Sequence, residues 1–167
     1  AISSRMGEAI ESIKEYLDLV ALAIVADIVS LTGENRILCY YGLEQINQSP
    51  RPGLKTIIDT LDKDNITPNE LGFYIGPRIN AAGRMKSGNI AVELLIEKDL
   101  DKASGLAEKL NQLNIERRVL DKETTQDALN QIKKFKNETS HTTVVCNPEW
   151  HKGVIGIAAS KLIETYY

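Results

Sequence analysis

Three short segments of this chain carry residue types that could do chemistry. In the first, Asp27 stands among Ile24, Val25, Ala26, Ile28 and Val29. A carboxylate in such surroundings must be paired, protonated or bound to a cation. A helix-end cap, a buried salt bridge and a metal ligand each meet that need, and spacing alone does not choose among them. In the second, Gly76-Pro77-Arg78-Ile79-Asn80-Ala81-Ala82-Gly83-Arg84-Met85, two arginines straddle Asn80, and small residues leave room for a ligand or a second backbone. Either this is a tight helix junction with two solvated arginines, or it is a phosphate clamp, since the planar guanidinium matches phosphate oxygens. The third runs Trp150-His151-Lys152-Gly153-Val154-Ile155-Gly156-Ile157-Ala158-Ala159-Ser160-Lys161. A lone histidine is more often structural than catalytic, yet His151 sits beside a glycine and a helix start, with Ser160 and Lys161 further along. No standard phosphate-loop spacing is present there.

The elements that must position these residues are mostly helical. Ile10, Ile13, Leu17, Val20, Ala21 and Ile24 recur at helical spacing, and from Leu19 onward the segment is apolar all round, as in a helix entering a core. Thr32-Gly33-Glu34-Asn35 stops it, and a second helix is expected from Arg36 to about Ile46. Ser49-Pro50-Arg51-Pro52-Gly53 punctuates the chain before a short amphipathic piece from Leu54 to Leu61. Thr67-Pro68-Asn69-Glu70 supplies a cap, a proline at the first helical position and an acid in the first turn, which opens another helix. Ile90 to Ile96 reads as a short helix.

From Asp101 to about Lys136, the residues Leu106, Leu110, Leu113, Leu120, Ala128, Ile132 and Phe135 fall on one stripe. Unbroken, that helix is on the order of 50 Å long, a length that bridges two domains. Asn137-Glu138-Thr139-Ser140 ends it, and Thr142-Thr143-Val144-Val145-Cys146 is β-branched and apolar enough to be a strand. Asn147 to Gly153 is then a loop, and Val154 to Leu162 a helix. Strand, loop and helix in that order present backbone amides to an anion.

With 167 residues, 43% hydrophobic and 26% charged, the composition is that of one or two small globular domains. A net charge of -3 gives a nucleic-acid partner no bulk support, so any such interface rests on local basic clusters. Cys39 and Cys146 lack ligand spacing and read as buried thiols of a reducing cytoplasm. The apolar run from Leu19 to Leu31 is too short to span a bilayer, and no basic region precedes it as in a secretory signal. Both ends, Ala1-Ile2-Ser3 and Thr165-Tyr166-Tyr167, read as cut from a longer chain.

Taken together, and in this order, the three segments resemble the RecJ-type exonucleases of the DHH phosphoesterase superfamily. The stretch from Tyr16 to Leu31 is similar to the one that supplies the last aspartate of that family's metal site. Gly76 to Met85 resembles its arginine and asparagine motif, and Trp150 to Ser160 the opening of its second, DHHA1 domain. The resemblance implies an α/β fold, predominantly helical, with three parts: the end of a DHH catalytic domain (1–98), a connector helix (99–137) and the start of a DHHA1 domain (138–167). It implies that Asp27 is a catalytic metal ligand, and that Arg78, Asn80, Arg84, His151, Ser160 and Lys161 meet the backbone or 5′ end of single-stranded DNA. The family often has arginine where Lys161 stands; lysine keeps the charge and loses the bidentate fork. The implied activity is 5′ to 3′ hydrolysis of single-stranded DNA with Mn²⁺ or Mg²⁺ in recombination and repair. It would belong to a cytoplasmic protein with no membrane partner.

The family's aspartate-rich motifs and its Asp-His-His tripeptide do not occur in this chain, so Asp27 would be the one metal ligand present, and the fragment by itself is expected to be inactive. Other readings are an oligoribonuclease or cyclic-dinucleotide phosphodiesterase of the same superfamily, or a noncatalytic DNA-binding or assembly module. In the last, Arg78, Arg84, Arg117, Arg118, Lys133, Lys134 and Lys136 would form a basic surface.

Overall fold

The structure, a computed structural model, describes residues 13–135 and 142–166. The expectations placed on Ala1 to Ser3, Ile10, Lys136, Asn137 to Ser140 and Tyr167 lie outside them. Eight α-helices are described: α1 Leu17–Ala26, α2 Gly33–Gln48, α3 Pro52–Ile58, α4 Pro68–Glu70, α5 Gly76–Met85, α6 Asn89–Ile96, α7 Leu100–Phe135 and α8 Ile155–Tyr166. A π-helical turn, Leu71–Ile75, joins α4 to α5. The predominantly helical expectation holds.

Helix α1 lies along α2, and the approach is close because Gly42 has no side chain. A Cβ there would stand 2.1 Å from the Leu17 carbonyl oxygen and 2.6 Å from the Ala21 Cβ. Ala21, Leu22, Cys39, Ile46, Leu54, Leu71, Ile75 and Leu94 form the core with the first turns of α7, at Ala103, Leu110 and Leu113. Helices α3, α5 and α6 all pack on α7.

A buried ion pair ties this bundle together. Asp18, at 0% exposure, accepts from Arg51 Nε and, at 2.7 Å, from Arg51 Nη2. Arg51 also donates to the carbonyls of Leu95 at 2.9 Å and Glu15 at 3.1 Å, so one guanidinium joins α1, the entry to α3 and the end of α6. Deeply buried charges are retained only where paired and hydrogen-bonded, as here.

The start of α4 follows the capping chemistry expected of it. The Asn69 N–H donates to Thr67 Oγ1 at 3.2 Å and the Thr67 N–H to Glu70 Oε2 at 3.1 Å, a reciprocal box that satisfies two end donors. Helix α7 is 36 residues long and continuous from one packing unit to the next.

Two expectations need correction. Thr142 to Cys146 forms no ladder; these residues carry no regular structure. What replaces a strand neighbour is the Gln131 side chain, whose Nε2 donates to the Cys146 carbonyl at 3.1 Å and whose Oε1 accepts from the Cys146 N–H at 3.3 Å. A lone β-branched run finds no partner strand among the described residues, and an amide side chain on α7 satisfies its backbone instead. The second correction is that Cys146 is exposed, although Cys39 is buried as expected.

Candidate nucleic-acid interface

Helix α1 ends at Asp27. Beyond it the Ile28 N–H bonds the Val25 carbonyl at 3.1 Å and the Val29 N–H reaches back to Ile24 at 2.9 Å, the paired bonds of a Schellman stop. The left-handed residue of that stop is Ile28, with φ of 56°. Glycine is usual at this position, because a β-branched side chain crowds the following carbonyl there. Asp27 is exposed, and Ile28 is 91% exposed beside it. The carboxylate that proves buried and paired in α1 is Asp18, nine positions earlier. Among the described residues no three His, Cys, Asp or Glu side chains converge on a common point. Asp27 can therefore be one ligand of a metal site, and the described residues do not complete a site around it.

Helix α5 holds Arg78, Asn80 and Arg84. It follows the π-turn directly, an irregularity frequent at functional sites. Ala81 and Ala82 are fully buried, which turns this helix's small face inward and leaves Asn80 and Arg84 exposed. Arg78 is partly buried and donates to the Tyr74 carbonyl at 2.6 Å. Burial first, and the neighbouring Arg118 charge second, lower its pKa.

The third segment meets α5 at Arg84. The Arg84 Nη1 donates to the Gly153 carbonyl at a long 3.4 Å, and the backbones touch. A Cβ on Gly153 would stand 2.2 Å from the Arg84 carbonyl oxygen and 3.1 Å from His151 Nδ1. Only glycine fits so close an approach. The Gly153 N–H donates to His151 Nδ1 at 3.1 Å, so the neutral imidazole carries its proton on Nε2 and can donate from there. The structure thus brings together Arg84, His151 and Gly153, 69 positions apart at the extremes of the contact.

Ser160 and Lys161 lie on α8. The Ser160 hydroxyl is exposed and donates to the Gly156 carbonyl at 3.1 Å, a bond that leaves its oxygen lone pairs open. Lys161 is engaged: its Nζ lies 2.7 Å from Asp121 Oδ2 on α7. Asp121 is 6% exposed, so the pair is fixed at the carboxylate end and open at the ammonium end.

Helix α7 supplies residues to this region whose place in it the motifs did not indicate. Arg117 Nε and Nη2 donate to Asn114 Oδ1 at 3.2 and 2.9 Å. Burial chiefly lowers the Arg117 pKa; Asp121 opposes that, while the charges of Arg84 and Arg118 add to it. The Arg118 charge thus acts on both Arg78 and Arg117, and the Arg84 charge on Arg117, so positive charge gathers on this face, an arrangement that favours an anion. Further along, Asp127 Oδ2 accepts from Asn147 Nδ2 and Trp150 Nε1, both at 2.9 Å. A signal for this face was present in the sequence, because Asn114, Asp121 and Thr124 are polar residues on the same stripe as Leu110, Leu113, Ala128 and Ile132, and all are buried.

No family model matches the chain. Among individual proteins it is similar to the single-stranded-DNA-specific exonuclease RecJ of Escherichia coli, 38% identical over 95% of this chain and 29% of that protein. It is similar also to RecJ of Bacillus subtilis, at 37% over 92% of this chain and 20% of that protein. A crystal structure of RecJ in complex with Mg²⁺ from Thermus thermophilus superposes with a TM-score of 0.83 at 31% identity, covering 98% of this chain and 26% of that one. A crystal structure of exonuclease RecJ bound to manganese gives a TM-score of 0.86 at 33% identity, covering 98% of this chain and 41% of that one. The chain therefore spans less than a third of the length of the curated relatives it matches.

Proposed function

We propose that this chain, homologous over nearly its whole length to RecJ exonucleases, is the junction between the catalytic and DHHA1 parts of such an enzyme, and that its parent removes nucleotides from the 5′ end of single-stranded DNA. The observation that carries this reading is the contact of Arg84 with the His151–Gly153 loop, because it joins two phosphate-binding candidates into one surface. Arginines crowded on that surface favour the DNA backbone over a neutral ligand. In this reading residues 1–98 close the catalytic domain, 99–137 connect, and 138–167 open the DHHA1 domain. Arg78, Asn80 and Arg84 face the strand from one side, and His151 and Ser160 approach its 5′ end from the other. Lys161, held by Asp121, keeps a positive charge at that end without the arginine fork.

Mn²⁺ or Mg²⁺ would supply an activated water and charge stabilisation at the scissile phosphate, as divalent ions do in such sites. Asp27 is the residue of this chain that would help hold them. What the chain itself does is grip and orient the strand: guanidinium and imidazole donors fix phosphates, while the α5 and α8 surfaces hold the end in register.

The test is Mn²⁺-dependent hydrolysis of 5′-phosphorylated single-stranded DNA by the full-length protein and its Asp27→Ala variant. Loss of activity with an unchanged melting temperature is the expected result. A fully active variant would remove Asp27 from the site. A full-length protein that degraded short oligoribonucleotides or cyclic dinucleotides in preference to long single-stranded DNA would replace the exonuclease reading with the nearest alternative.

A further inference from the structure

Asp127 sits midway along the second half of α7, far in sequence from every residue the motifs identify. Its carboxylate takes three hydrogen bonds, all from neutral donors: Asn147 Nδ2 and Trp150 Nε1, each at 2.9 Å, and Gln131 Nε2 at 3.4 Å. Gln131, one turn on, holds the Cys146 backbone by both its donor and its acceptor. Two neighbouring side chains of one helix thus grip Cys146, Asn147 and Trp150 at four points. The next residue is His151, and two further on Gly153 is seated against the Arg84 backbone. From Asp127 to Arg84 there is therefore an unbroken chain of contacts, through the indole of Trp150, the His151 turn and the glycine that admits no side chain.

The donor set is informative. A carboxylate placed on a helix merely for solubility faces water or a lysine one turn away. This one meets an indole N–H and a carboxamide, each with fixed geometry and no charge, and both on the same loop. Such an arrangement specifies a position more than it adds stability. Hydrogen bonds to an ionised acceptor are strong and directional, and they keep the carboxyl below its usual pKa, with Asn147 the largest contributor.

We propose that Asp127 is a positioning residue of the candidate interface: by fixing the Trp150 indole and the Asn147 amide on α7, it sets the register of the His151–Gly153 loop against Arg84. The proposal rests on the exonuclease reading for its kinetic consequence, though not for its structural one. It makes α7 more than a spacer, since the same helix that separates the two parts carries the pin that aligns their facing donors.

Two measurements on the full-length protein test it. In the first, kcat and KM on 5′-phosphorylated single-stranded DNA are compared for Asp127→Ala, Trp150→Phe and the double variant. Phenylalanine keeps an aromatic ring and removes only the N–H. Each single variant is expected to lower kcat/KM by about tenfold, as is typical of supporting partners, mainly through KM. The double variant should fall no further than Asp127→Ala, because the bond that Trp150→Phe removes is already lost there. Asp127→Asn, which keeps an acceptor oxygen, should recover part of the loss.

In the second, amide hydrogen exchange should quicken at Gly153 and Val154 in Asp127→Ala and stay unchanged in α3 and α5. Additive losses, or losses that follow the melting temperature, would overturn the positioning role, as would unaltered exchange in the loop. A wild-type protein without exonuclease activity whose loop still loosens in Asp127→Ala would overturn the functional reading and leave the positioning role standing.

Discussion

At the residue scale, the candidate interface is a set of donors whose neighbours decide what each can do. Arg84 is exposed, lies at the C-terminal end of α5 and has a long contact to Gly153, so most of its guanidinium donors remain open to the phosphate proposed for it. Arg117 has two of its donors occupied by Asn114, and Lys161 is committed to Asp121. Arg84→Ala in the full-length protein is therefore expected to weaken single-strand binding and flatten the dependence of log K on log salt by about one unit. A titration of binding against salt measures this directly, and an unchanged slope would make Arg84 a purely structural arginine.

The sequence exposed these candidates unevenly. Arg78, Arg84 and His151 stood out because each lies in a short, unusual run. Asp27 stood out for its apolar flanks, yet the buried carboxylate of α1 is Asp18, whose partner Arg51 lies 33 positions away in a segment that reads as punctuation. Pairing across such a separation is a tertiary fact, and local pattern carries no sign of it. The commitment of Lys161 to Asp121, 40 positions apart, was hidden for the same reason.

At the element scale, what is local was legible and what depends on a neighbour was not. The Thr67 cap and the stripe of α7 as far as Ile132 follow from spacing within one or two turns, and both formed as expected. The run Thr142 to Cys146 has strand composition, but a strand needs a partner, and Gln131 is what the structure supplies. Helix α1 stops with Ile28 in the left-handed region, which no preference table would select.

Helix α7 also contains a position where its own propensity is weak. Gly105 lies in its second turn, and a Cβ there would meet nothing within 4 Å. Gly105→Ala should accordingly raise stability by about 0.5 to 1 kcal/mol, because alanine loses less backbone entropy in a helix. A higher urea midpoint for this variant is the expected result; a lower one would mean that another surface covers that face.

At the scale of the whole molecule, the described chain holds candidate strand-gripping groups and one candidate metal ligand, and the two proposed functions are separable. The phosphate contacts proposed for Arg84, His151 and Ser160 need only α5, α8 and the loop before α8, and both helices pack on α7 within this chain. Hydrolysis needs more. A two-ion site takes several carboxylate or imidazole ligands held close together, and among the described residues no three such side chains converge. Asp27, exposed at the end of α1, offers a cation two oxygens at most, and a single exposed carboxylate binds a divalent ion weakly. The chain of residues 1–167, purified by itself, is thus expected to release no nucleotides from single-stranded DNA at millimolar Mn²⁺, while retaining weak, salt-sensitive binding to the same strand. The full-length protein under the same conditions should cleave. Fluorescence anisotropy with a labelled oligonucleotide reads the binding, and release of acid-soluble label reads the cleavage. Metal-dependent cleavage by residues 1–167, abolished by Asp27→Ala, would refute this division, since it would require a complete site in a chain whose described residues offer one candidate ligand.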